Sequence, residues 1–185
     1  MIAYAFALAT GLIGVPAIED CPAAEASTDG HLSDVCAALP EVDVAYSATM
    51  RASLNPRPAS QQVMVYRMEG QWFVRTAGYR WTPGTSVVTT RRNDLPIAPE
   101  DASMIETRLS QTSLSRLAEL PYYGADDVIC TDGSNLEIAA ALDGARFAAR
   151  QHSCAGQTEL NEIAALFRGI AIKYDSEFEG YLSGL

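Results

Sequence analysis

Four cysteines and two histidines are the residues of this chain best suited to covalent or metal chemistry: Cys21, Cys36, Cys130 and Cys154, with His31 and His152. Cys130 together with His152-Ser153-Cys154 offers two thiolates and an imidazole, a partial zinc set that water or Asp132 would complete. His31, close before Cys36, would suit a thiol nucleophile and its base. Oxidation removes both chemistries. An even number of cysteines behind a signal-like start implies two disulfides, and Cys21–Cys36 with Cys130–Cys154 is the favoured pairing because each closes a local loop. On this reading the protein has no metal site and no cofactor.

Carboxylates come next. Asp126-Asp127 follows Pro121-Tyr122-Tyr123-Gly124, so two acids lie beside an aromatic loop. Glycoside cleavage needs two carboxyl groups about 5 to 10 Å apart across a substrate. Adjacent residues on a strand point to opposite faces, and paired acids at a helix start answer the helix dipole. Glu100-Asp101 fits the second description. Tyr122, Tyr123, Asp126 and Asp127 form an alternative ligand site, for a sugar or a cation.

A third group joins arginines to large aromatics: Arg67, Trp72, Arg75, Tyr79, Arg80, Trp81, Arg91 and Arg92. Arginine stacked on Trp or Tyr anchors interfaces and recognises anionic or aromatic partners. The structural account is cross-strand pairing, with Arg67 over Trp72 covering a sheet. Tyr79, Arg80, Trp81, Arg91 and Arg92 make the best contact surface in an otherwise acidic chain. The sequence contains no Gly-rich phosphate loop, no G-x-S-x-G, no H-E-x-x-H and no S-x-x-K. Without such a motif the reading leans away from an enzyme.

These residues need a scaffold, and the apolar pattern supplies one. Residues at alternating positions predict a strand over Val42–Leu54. Gln62–Met68 and Gln71–Ala77 flank Glu69-Gly70, a two-residue hairpin turn that sets Arg67 opposite Trp72, Tyr66 opposite Phe73 and Val65 opposite Val74. Both faces of that hairpin are apolar, so it belongs inside a sheet. Further strands are expected at Ser86–Arg92, Asp127–Thr131, Asn135–Leu142 and Arg146–His152, with turns at Asp132-Gly133 and Asp143-Gly144. Helices are expected over His31–Leu39, over Glu100–Leu120, and most securely after the Thr158 cap, where Leu160, Ile163, Ala164, Phe167, Ile170 and Ala171 recur at helical spacing. Strands and helices arrive in blocks. The fold class is therefore α+β: a mainly antiparallel sheet of six to seven short strands with two principal helices packed on it.

The first eighteen residues carry no charged side chain, and Gly11, Gly14 and Pro16 interrupt them. That fits a secretory leader cut after Ala17, with a retained anchor as the alternative. The expected organisation is a leader over 1–17, a disulfide-tied segment over 18–40, one α+β domain over 41–175 and a tail over 176–185. Formal net charge is −10, which disfavours phosphate backbones and so excludes unaided nucleic-acid binding. Membrane association follows only if the leader is kept. The combined expectation is a periplasmic or secreted, disulfide-bonded protein serving as a non-catalytic binding or accessory domain for a protein or cell-envelope partner. The alternative is a hydrolase using acids between Tyr122 and Asp132.

Overall fold

The turn that organises the sheet has the backbone its sequence calls for. Glu69 and Gly70 take φ of 50° and 78°, the left-handed pair of a two-residue turn whose twist matches the strands it joins. Asp143 and Gly144 repeat this at 51° and 78°. In the computed structural model, residues 19–20, 32, 35–38, 42–52, 59–81, 88–120, 122 and 133–182 are described. The leader over 1–17, His31, Cys21, Cys130, Asp132 and the strand expected over 127–131 lie outside them.

The elements run β1 (Glu19–Asp20), α1 (Val35–Ala38), β2 (Val44–Ala52), β3 (Ala59–Met68), β4 (Gln71–Trp81), β5 (Val88–Pro96), α2 (Pro99–Arg108), α3 (Gln111–Ala118), β6 (Ser134–Leu142), β7 (Ala145–His152) and α4 (Glu159–Tyr174). A 3₁₀ turn, Ser153–Ala155, links β7 towards α4, and a 3₁₀ segment, Ser176–Tyr181, follows α4. The strands form one sheet in the order β1-β7-β6-β2-β3-β4-β5, and every described pairing is antiparallel. The fold is α+β. Among the described residues no helix is long and apolar enough to cross a membrane.

The expected hairpin register is the one observed, with Arg67 opposite Trp72, Tyr66 opposite Phe73 and Val65 opposite Val74. Its two apolar faces serve two cores. Val63, Val65, Trp72 and Val74 join the main core with the buried stripe of α4, whose Leu160, Ile163, Phe167 and Ala171 are shut from solvent. Met64 and Tyr66 pack on the other face with Ala45, Ala139 and Ala141 beneath Val35 and Ala38 of α1. Strand β2 lies between β3 and β6 and is buried from Val44 to Met50. Ala45 of β2 and Ala139 and Ala141 of β6 leave room for α1 to pack its Val35 and Ala38 on this face.

Two expectations need correction. The helical region over Glu100–Leu120 is two helices, because the chain leaves helical geometry at Leu109 and Ser110 restarts it by accepting the Ser113 N–H. Among the described residues the sheet therefore carries three helices, α2, α3 and α4, where two principal ones were expected, and the short α1 falls within the helix expected over His31–Leu39. The strand expected over Ser86–Arg92 is observed over Val88–Pro96, running on past Arg92, while residues 86–87 lie outside the described set. The segment after α4 docks: Phe178 and Leu182 belong to the main core.

Candidate functional site

Alternation along β5 divides its residues between two tasks. Residues facing the helices are half-buried and engaged within the fold. Arg91 donates to Asp175, its Nε at 3.0 Å from Oδ2, and its Nη1 reaches Glu177 at 2.8 Å. The Thr76 hydroxyl adds a bond to Asp175 Oδ2 at 2.6 Å. Asp175 is buried, which pushes its carboxyl up, yet the bonds from Arg91 and Thr76 more than reverse this and hold it below the usual carboxylate range. Arg91 thus fastens the chain after α4 to the sheet.

On the other face Thr90, Arg92 and Asp94 are exposed. Asp94 Oδ1 accepts from Arg75 Nε at 2.6 Å and from the Tyr66 hydroxyl at 3.0 Å. Burial first, then the bond to Asp94, pushes Tyr66 up to about 12. Arg75 lies over the Tyr66 ring at 5.2 Å, and that ring stacks on Phe73. The second Asp94 oxygen has Arg92 Nε at 4.0 Å, too far for a hydrogen bond. Beyond β5 the sheet has no further strand among the described residues.

The arginine–aromatic group accordingly separates. Arg67 lies 5.5 Å from the Trp72 ring centre, the cross-strand pairing expected for it. Arg75 and Arg91 are tied internally. Tyr79, Arg80 and Trp81 occupy β4 opposite Thr90, Thr89 and Val88 of β5, their side chains lying outside the described set. Arg92 stands exposed beside them on the terminal strand.

Of the alternative ligand site, Tyr122 is described; Tyr123, Asp126 and Asp127 are not. The Tyr122 hydroxyl donates to Asn135 Oδ1, its carbonyl accepts the His152 N–H at 2.8 Å, and its ring meets His152 edge-on. His152 is buried, and its Nδ1 accepts the Cys154 N–H at 3.3 Å. Both described cysteines, Cys36 and Cys154, are disulfide-bonded, so Cys154 is not a thiolate ligand; the pairing of the four involves residues outside the described set. Asp101 does more than answer the helix dipole. Lys173 Nζ at 2.7 Å and the Tyr174 hydroxyl hold its carboxyl low and join α2 to α4.

Sequence reasoning missed a cluster of neutral polar groups where β7 meets α4. Gln151 donates to the Gly156 carbonyl at 2.8 Å and accepts from the Thr158 hydroxyl, while Asn161 Oδ1 accepts the Thr158 N–H at 2.8 Å in a capping box. Ser134, Gln151, His152, Ser153 and Asn161 line a cavity of about 40 Å³ together with Met50, Leu136 and Ala164. Gly133, at φ +150°, is required here: a Cβ would come within 2.3 Å of Ser153 Oγ. The only sequence signal was the Thr158 cap.

Compared with known proteins, the chain matches no family model, no curated protein and no solved structure.

Proposed function

We propose that this is an exported, non-catalytic binding domain whose contact surface is the β4–β5 side of the sheet, from Tyr79 to Arg92. The observation that supports it is the terminal position of β5. A nine-residue strand with one flank unpaired among the described residues offers backbone donors and acceptors to an incoming segment. Exposed Thr90, Arg92 and Asp94 alternate along it and give such a segment a charge pattern to match. Export is supported by the oxidised state of Cys36 and Cys154, which suits a periplasmic or secreted setting.

A photo-crosslinking residue at Thr90, compared with one at exposed Glu119, the C-cap of α3, tests the reading in cells of the native source. Adducts with a defined protein or envelope component should form from Thr90 alone, and Arg92→Glu should abolish them without lowering the melting temperature. Equal adducts from both positions, or none, would remove the support. Arg91 is unsuitable for that experiment because its loss would release the chain after α4.

A further inference from the structure

We infer that the outer edge of β5 pairs with the same edge of a second copy of this chain, in an antiparallel register centred on Asn93. The inference rests on the β4–β5 reading above and names one occupant of that surface. Its basis is charge order. Along the exposed face β5 runs Thr90, Arg92, Asp94, Pro96. A two-fold axis through Asn93 sets Arg92 of each copy opposite Asp94 of the other, and Thr90 opposite Pro96. Directly opposed residues hold their Cβ atoms about 4.5–5.5 Å apart, whereas i and i+2 on one strand are about 6.8 Å apart. Arg92 and Asp94 of one chain stand at 4.0 Å, short of a hydrogen bond. The cross-strand arrangement would bring each Arg92 to the Asp94 oxygen that Arg75 and Tyr66 leave open.

Other registers are penalised. A slip of two residues centres the pairing on Arg92 or on Asp94 and opposes like charges, which destabilises a strand pair. Charged residues and a terminal Pro96 also blunt a sheet edge against indiscriminate stacking. Here they reject the neighbouring alignments and accept one. Because the pairing is two-fold, it closes on itself and gives a dimer without a growing end. Each chain has a formal net charge of −10. At physiological salt that repulsion is screened beyond about 8 Å, while the opposed Arg92–Asp94 pairs lie inside this distance. The paired edges would also set the two Tyr79–Arg92 surfaces side by side.

Sedimentation of the full chain at rising concentration, combined with dipolar distance measurement on spin-labelled Thr90→Cys, tests this. The expected result is a reversible monomer–dimer equilibrium with a label-attachment separation of about 20 Å, six strand residues across the axis. Arg92→Glu should weaken association about tenfold, two attractive pairs becoming repulsive, with an unchanged melting temperature. A monomer at every concentration would overturn the inference, as would a separation of about 14 Å, which belongs to the register centred on Arg92. Association indifferent to Arg92→Glu would also overturn it. If the chain stays monomeric yet Thr90 still crosslinks to a different protein, the binding-domain reading stands and only self-pairing is lost.

Discussion

At the scale of single residues, Asp175 has the most to lose. It is buried at the end of α4 and accepts from Arg91 and Thr76 on two strands. Arg91→Ala would leave that carboxylate without its cation, and denaturant unfolding at neutral pH should show a loss of about 3 kcal/mol. Because the folded carboxyl is held below its ordinary value, its stabilising contribution is complete above the unfolded pKa of about 4 and fades as pH falls towards the folded value. Unfolding curves taken from neutral to acidic pH should therefore fall less steeply in Arg91→Ala than in the wild type. Tyr46 and Tyr66 are both pushed up to about 12, in each case by burial first, then by Glu106 for Tyr46 and Asp94 for Tyr66. Ultraviolet titration should find Tyr46 and Tyr66 ionising only near pH 12, and Tyr66→Phe should remove one of these late steps. The sequence placed Arg91 on a contact surface, whereas the structure ties it to Asp175 and Glu177 within the fold. Asp175 lies 84 positions later, a distance at which neither spacing nor periodicity carries a signal.

The elements were legible to the degree that their information is local. The register of the β3–β4 hairpin could be read to the residue, since Glu69-Gly70 specifies a two-residue turn. Its strands run on to Ala59 and Trp81, past the expected Gln62 and Ala77, and its two apolar faces left open which side meets the main core. The break at Leu109–Ser110 was missed because the apolar spacing continues through it; the Ser110 cap is what divides the helices. The Gln151–Thr158–Asn161 cluster was missed for another reason. Neutral amides and hydroxyls have no motif, and their meaning depends on β7 ending beside the start of α4. Close approach decides one further test. Gly78 lies under the rings of Phe178 and Tyr181, and a Cβ there would stand 3.2 Å from Phe178 and 3.3 Å from the Ser60 carbonyl oxygen. The carbonyl belongs to a paired strand and cannot retreat, so Gly78→Ala should lift the segment after α4. A loss of about 1–2 kcal/mol is expected, with faster amide exchange over residues 176–182.

For the whole molecule, the class of fold followed from the order of strand and helix blocks, while the sheet order did not. Nothing local says that β6 should insert beside β2 on the side away from β3. The oxidised cysteines bear on overall stability: each bridge should contribute about 3 kcal/mol, so reductant ought to lower the urea midpoint of the native protein. Topology has a consequence for biogenesis as well. The strand that ends at the centre of the sheet is made early, and the neighbour that seals its second flank, Ser134–Leu142, is made only after β5 and two helices. Until that neighbour arrives, Val44 to Met50, buried in the finished fold, has one backbone flank unpaired and open to any other strand nearby. Folding yield should then depend less on final stability than on how fast the sixth strand finds that flank once the chain is free to fold, and on whether a holding factor guards the gap meanwhile.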